Sequence, residues 1–454
     1  MKSFATLALI GSSAVPAFAS ILPRQSNGKL EPVEVRGNAF FAGDERFYVR
    51  GLAYQPGGAA DAKDPLLNLE QLAEDVANFK ELGVNTIRIY TVDNSGNHDE
   101  GMKMLADAGI YLTLDANTPK YSINRETMDT THRSYNDVYL QNVFATIDTF
   151  AKYDNMLAFF SGNEVINMKN NTGAAPYIKA VTRDMKKYMA AQNYRKIPVG
   201  YSAADVAENI YQQALFFDCG NDEDARGDFF AFNDYSWCDP SDFKTSGWDK
   251  KVELYKDYPV PIFMSEFGCN TNERKWGEIE ALYSTDMTSV YSGGLVYEYT
   301  NEANLYGLVN KTVDEETGEI TTTLLDDFNA LKEAYAATPN PSGDGGYKKN
   351  GTPSKCPPAD DDWEVESADL PKMPAGAEKF MKSGAGQAVG LAGDGSHFAG
   401  EPSESMVKVS EASSSGGADE EGEDADQEGA GFAVQVPFKL LSLIGAIAAF
   451  AFML

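Results

Sequence analysis

Between residues 25 and 340 two hydrophobic patterns alternate along the chain. Short runs rich in β-branched and aromatic residues give way to longer stretches whose apolar side chains recur every three or four positions. Phe47–Gly51, Thr86–Tyr90, Ile110–Leu114, Leu157–Phe160, Ile197–Tyr201, Phe229–Phe232, Ile262–Met264 and Leu295–Tyr299 read as eight strands. Helical spacing covers Leu67–Leu82, Asp99–Ala108, Val138–Lys152 and Ala175–Ala191. Gly83 and Gly109 stand where the first two of these patterns stop, as glycine does at a left-handed helix terminus. Eight strands interleaved with helices predict an α/β fold with a parallel sheet, and a closed (β/α)8 TIM-type barrel is its natural solution. A doubly wound open sheet is the alternative. It would want a glycine-rich loop after the first strand, and Gln55-Pro56-Gly57-Gly58 is a poor substitute for GxGxxG.

The pattern changes near residue 340, where Pro339–Tyr347 marks a boundary. Beyond Cys356, Pro, Ser, Gly, Asp and Glu dominate with no core-sized apolar period. Residues 357–429 are therefore expected to form a disordered acidic stalk, since such a segment buries too little surface to offset chain entropy. The two ends are apolar. Residues 1–19 combine Lys2, an apolar run and the small-x-small site Ala17-Phe18-Ala19, the pattern of a secretory signal peptide. The folded domain is then expected over 20–356. At the other end, Gly429-Ala430-Gly431, a polar-to-apolar spacer through Lys439 and the tail Leu440–Leu454 fit a GPI-anchor signal over 430–454, with attachment at Gly429. The tail is shorter than the ~20 residues of a membrane-spanning helix.

Composition narrows the function. The 454 residues carry 38 basic and 68 acidic side chains, a net charge of −30, which argues against nucleic acid and against docking on an anionic membrane face. A neutral or sugar-like substrate remains open. The charge is uneven, because residues 360–430 hold 18 acidic against 4 basic side chains. Export permits disulfides, and Cys219, Cys238, Cys269 and Cys356 allow three pairings, between which their spacing does not choose. Sequons at Asn170, Asn310 and Asn350 fit an exported chain.

In a barrel, chemistry sits at the C-terminal ends of the strands. The fourth predicted strand runs into Ser161-Gly162-Asn163-Glu164, and the seventh into Ser265-Glu266-Phe267-Gly268. One glutamate after a strand is most often a cap or an ion-pair partner. Two, at the mouths of strands on opposite sides of a barrel, can flank one bond, as glycoside hydrolysis requires of its protonated and ionised carboxyl groups. A gap of about 5–5.5 Å would mean retention and a wider one inversion. Tyr90, Asp115, Asp205, Asn233, Tyr235, Tyr297 and Tyr299 lie at other strand ends and suit a saccharide cleft of aromatic faces and hydrogen-bonding groups. His98, His132 and His397 have no metal-ligand spacing, and neither GxSxG nor a P-loop occurs, so no metal or cofactor is expected.

The runs Asn85–Tyr90, Ala108–Tyr111, Tyr121–Arg125, Ser161–Glu164, Ile197–Ser202, Asn233–Cys238, Ser265–Cys269 and Ser292–Tyr297 resemble the fungal β-1,3-glucanosyltransferases of glycoside hydrolase family 72, over roughly residues 25–357. The resemblance implies a barrel with Glu164 as general acid/base and Glu266 as nucleophile. It places Tyr90, Asp115, Ser122, Asn124, Arg125, Asn163, Asp205, Tyr235 and Tyr297 on the glucan, and pairs Cys238 with Cys269 and Cys219 with Cys356. It further implies a monomer, anchored by GPI lipid at the outer face of the plasma membrane or in the cell wall, that elongates one β-1,3-glucan with a piece of another. Hydrolysis by a secreted endo-β-glycosidase and a non-catalytic wall-binding role are the competing expectations. Three departures stand out. Leu72 and Gly101 occupy the positions of a disulfide usual in the family, Ile210 replaces an arginine that contacts substrate in some members, and the cysteine-rich carbohydrate-binding module is missing.

Overall fold

A computed structural model describes residues 30–58 and 62–407. Eight parallel strands close into a barrel: β1 (Val49–Ala53), β2 (Thr86–Ile89), β3 (Tyr111–Asp115), β4 (Met156–Asn163), β5 (Val199–Ala204), β6 (Phe229–Asp234), β7 (Ile262–Phe267) and β8 (Tyr291–Val296). The barrel closes where β8 pairs with β1, from Gly293↔Val49 to Val296↔Leu52. All eight expected strands are present. The first begins and ends two residues later than the sequence suggests, and the last stops at Val296, so Tyr297 and Tyr299 stand beyond its end.

Local chemistry explains the elements. Helix α1 (Leu69–Leu82) turns Leu72, Val76 and Phe79 onto the barrel, one helical face at three- and four-residue spacing. Asn68 caps its start by accepting from the Gln71 backbone N–H, and Gly83 ends it at φ 75°, a left-handed conformation that a Cβ would oppose. Helix α2 (Asp99–Asp107) packs beside it. Within the barrel, Val49, Tyr111, Phe160, Phe229, Phe263 and Leu295 form an interior cluster that is sealed from below by Val33, Phe40 and Phe47. These three come from an N-terminal antiparallel sheet of strands 33–36, 39–42 and 45–47. Phe40, Phe160, Phe229 and Phe263 meet at ring separations of 5.3–6.0 Å. Burying each such ring stabilises the fold by about 2–3 kcal/mol. The barrel is thus plugged at its N-terminal end and open to chemistry only at the other.

The cysteines pair as the resemblance implies, Cys219 with Cys356 and Cys238 with Cys269. Leu72 is fully buried, and a Cβ added to Gly101 would lie 3.3 Å from its Cδ2. The leucine therefore fills the space between α1 and α2.

The expectation of a disordered stalk beginning at 357 fails for residues 357–407. This segment wraps the barrel and buries Trp363, Leu370, Phe380 and Ala385. It lies against helix α3 (Ala175–Ala191): Arg183 Nη1 donates to the Pro371 carbonyl at 2.9 Å, and Gln192 Nε2, just past the helix, to that of Met381 at 2.9 Å. Within it, Leu370–Pro371 pairs antiparallel with Met406–Val407. The apolar anchors follow neither helical nor strand period. Each fills a hollow in a surface formed by residues far away in sequence, so hydropathy patterning does not register them. The expected signal peptide (1–19), the remainder of the stalk, Gly429 and the anchor signal (430–454) lie outside the described residues.

Candidate active site

Two irregularities in the barrel aim the carboxylates. Along β7, Phe263 points into the barrel and Met264 packs outward, so strict alternation would turn Ser265 inward and Glu266 outward. The pairing with β6 slips between Met264↔Phe232 and Glu266↔Asn233, leaving one extra residue on β7. Such a bulge re-aims the side chains beyond it. Glu266 accordingly joins Ser265 at the mouth of the barrel. On β4 the pairing with β5 slips between Phe160↔Gly200 and Asn163↔Ser202, again by one residue, and brings Asn163 inward. Glu164 follows with φ 48°, an uncommon left-handed conformation for a side-chain-bearing residue.

Glu266 is 8% exposed. The Tyr90 hydroxyl donates to its Oε1 and the Tyr235 hydroxyl to its Oε2, both at 2.8 Å. Arg88 Nη1 lies 3.5 Å from Oε1. Burial pushes the carboxyl up to about 7, with the charge of Glu164 adding to the rise, while Arg88 and the two hydroxyls pull against it. Glu164 faces a different set of partners: Asn233 Nδ2 donates to its Oε1 at 2.7 Å. Its backbone is held at both ends, the N–H by the Ser202 carbonyl at 2.8 Å and the carbonyl by Arg125 Nη1 at 2.6 Å.

Arg88 organises the floor. It is fully buried in the middle of the apolar run of β2. Its guanidinium donates to both oxygens of Asp115 at 2.9 and 3.1 Å, a fork-to-fork pair. It also donates to Asn163 Oδ1 at 3.0 Å, Ser202 Oγ at 3.3 Å and the Ser265 carbonyl at 3.3 Å. The Tyr90 and Phe160 rings sit 4.3 Å from its centre, so π-faces cover the rest of the cation. Burial raises the Asp115 carboxyl, and Arg88 offsets part of that rise. A hydroxyl network continues across the barrel. Ser202 Oγ donates to Asn163 Oδ1 at 2.7 Å, and Ser265 Oγ donates to Asn233 Oδ1 at 2.9 Å. With Asn163 Oδ1 occupied by Arg88 and Ser202, its amide N–H2 is the face left for the cleft.

Most residues expected at the site converge on this network. Tyr90, Asp115, Asn163, Glu164, Tyr235 and Glu266 are joined by direct contacts. Tyr297 packs edge-on against Tyr235 at 6.3 Å, and Tyr306 lies 5.5 Å from both, forming an aromatic wall beside Glu266. Three expected residues have other partners. The Asp205 carboxylate is held 2.6 Å from Lys251 Nζ, which also pairs with Asp234 at 2.8 Å. Ser122 Oγ lies 2.9 Å from His397 Nε2, and Asn124 Oδ1 accepts from the Glu126 backbone N–H at 2.9 Å. Ile210 is buried at the start of its helix and offers no donor. Sequence reasoning missed Arg88, Ser202, Ser265, Tyr306 and His397. Arg88 had a signal: a cation inside a buried strand needs a partner, and Asp115 ends the adjacent strand.

The family model described as Glucanosyltransferase matches residues 23–339. The chain is 57% identical over 396 residues to the 1,3-beta-glucanosyltransferase gel1 of Aspergillus fumigatus, covering 87% of this chain and 85% of that protein. It is 52% identical over 370 residues to the 1,3-beta-glucanosyltransferase GAS5 of Saccharomyces cerevisiae, covering 80% and 74%. Among solved structures it is similar to a mutant of Saccharomyces cerevisiae Gas2p in complex with laminaritetraose and laminaripentaose, at 36% identity and TM-score 0.69, over 77% of this chain and 76% of that one.

Proposed function

The chain belongs to the glucanosyltransferase family, glycoside hydrolase family 72, and we propose that it is a retaining β-1,3-glucanosyltransferase that cleaves an internal β-1,3-glucan linkage and joins the new reducing end to the non-reducing end of another chain. The observation that carries the reading is the asymmetry between two carboxyl groups at one barrel mouth. Glu266 receives two hydroxyl donors and lies beside a guanidinium, all of which favour an ionised, fixed nucleophile. Glu164 receives a single amide donor, from Asn233.

In the first step a Glu266 oxygen attacks the anomeric carbon while Glu164 gives its proton to the departing glycosidic oxygen. The leaving chain carries that proton away as its new hydroxyl, and the donor remains as a glycosyl ester on Glu266. In the second step Glu164 takes a proton from the hydroxyl of an incoming glucan, whose oxygen displaces Glu266. Transfer outcompetes hydrolysis when bound acceptor sugar reaches an effective molarity above that of ~55 M water. Tyr235, Tyr297 and Tyr306 supply faces suited to such sugar rings. With its Oδ1 taken by Arg88 and Ser202, Asn163 keeps its amide N–H2 to bind a hydroxyl next to the reacting carbon.

Export to the outer face of the plasma membrane or the cell wall, with a GPI anchor at Gly429, belongs to the same proposal. It is supported by the signal-like residues 1–19, the tail pattern from Gly429, and the pairing of all four cysteines, which an oxidising compartment permits. Incubation with one defined laminari-oligosaccharide tests the activity. Products longer than the substrate are expected; only shorter ones would make the protein a hydrolase.

A further inference from the structure

Residues 390–397 run across the loop between β3 and the following helix, the same loop that carries Ser122, Asn124 and Arg125. The fit is close. A Cβ on Gly390 would lie 2.2 Å from Asp93 Oδ1, and one on Gly393 would lie 2.0 Å from the Tyr121 hydroxyl, so a side chain at either position would have to push these groups aside. Polar contacts fix the register. The Gly390 N–H donates to Asn94 Oδ1 at 3.1 Å, and Lys120 Nζ donates to the carbonyls of Leu391 and Gly393 at 3.2 and 3.1 Å. The Ser396 N–H returns to the Lys120 carbonyl at 2.9 Å, and Asn136 Nδ2 donates to the Ser396 carbonyl at 2.6 Å. His397, half-buried, ends the run with Nε2 2.9 Å from Ser122 Oγ.

Three residues after Ser122, Arg125 donates to the Glu164 carbonyl. That contact matters because Glu164 sits in a left-handed conformation that a non-glycine residue holds only when its surroundings over-determine it. Glu164 has two backbone restraints, and Arg125 supplies one of them. We propose that residues 390–397 are a strap that positions the general acid, and that His397 is a positioning residue for Glu164, acting through Ser122 and the Arg125 loop. The proposal rests on the reading of Glu164 as the acid/base and goes beyond it by bringing a distant C-terminal segment into the reaction.

An acid that is out of place slows departure of a sugar, which needs a proton, far more than departure of fluoride, which does not. The test compares His397→Ala, His397→Gln and the parent enzyme on a laminari-oligosaccharide and on the matching laminari-oligosaccharyl fluoride, following release of the first leaving group. The alanine variant is expected to lose about tenfold on the oligosaccharide and less than twofold on the fluoride. Glutamine, whose side-chain amide can meet Ser122, is expected to restore most of the loss. Equal losses on both substrates, or none on either, would overturn the proposal. Glu164→Gln on the same pair separates the two claims. A selective loss there upholds Glu164 as the acid whatever His397 does, whereas equal losses would remove that assignment and the strap's role with it.

Discussion

Replacing Glu266 by glutamine is expected to stabilise the fold and stop turnover together, with the stabilisation depending on pH. The carboxyl is raised from its ordinary 4.5 to about 7, chiefly by burial. Between those values the native protein keeps a proton that the unfolded chain has released. The native state then binds more protons than the unfolded one, so stability falls as pH rises through this window. Below 4.5 the group is neutral in both states and contributes no such loss. Above about 7 the loss is complete and, at 1.36 kcal/mol per pH unit, amounts to about 3 kcal/mol. Glutamine is neutral throughout and escapes it. One term opposes the gain: the amide nitrogen cannot accept the tyrosine hydroxyl it faces, and reversing that bond costs about 1 kcal/mol at every pH. The diagnostic is therefore the change in the difference between the proteins, not its absolute size. Calorimetric melting of both proteins from pH 4 to 8 should show the Tm of the variant gaining on the parent by about 4 °C across the window. A Tm difference that stays flat with pH, or runs the other way, would refute the argument that burial of an ionised Glu266 strains the fold.

Three further outcomes follow from the same contacts. Tyr235→Phe removes a donor that favours the ionised nucleophile, so the acid limb of kcat/KM should move to higher pH and kcat should fall about tenfold; an unmoved limb would detach Tyr235 from Glu266. Trp363→Ala should cost about 3–5 kcal/mol, because the ring is fully buried and lies 5.4 Å from Phe216, whereas the same change in a disordered stalk would leave Tm untouched. Leu72→Cys with Gly101→Cys should form a bond in non-reducing gels that reductant breaks, and its gain of about 2–4 kcal/mol is reduced by the lost leucine and by the shift of the Leu66 carbonyl, which a Cβ at 101 would approach to 2.6 Å; no bond in the gel would refute the proximity of the two positions.

The barrel is legible in the sequence because strand and helix periods both follow from its two-layer burial, and a glutamate after an apolar run marks a strand mouth. What escapes is whatever depends on partners distant in sequence. Alternation alone would turn Glu266 out of the barrel, and only the slip against Asn233 turns it in. A cation inside the buried strand at Arg88 calls for a partner such as Asp115 on the next strand, but nothing near it announces the cover that Phe160 supplies. The strap is the extreme case, since 275 residues separate His397 from Ser122 and its glycines look like those of a linker until the surface they must clear is known.

These failures of local reading share a location. A bulged strand, a buried arginine, a raised carboxyl and a left-handed glutamate each depart from the local pattern of their element, and all four meet at one end of the barrel. The phenylalanine plug at the other end is an apolar cluster with no titratable group in it but Tyr111. Apolar burial closes the end where no chemistry occurs, and the mouth is held by the polar contacts of Arg88, the serine network and the strap. Variants of the plug should accordingly lower Tm with little effect on the kcat of the folded fraction, while variants of Arg88 should lower kcat far more than their effect on Tm accounts for.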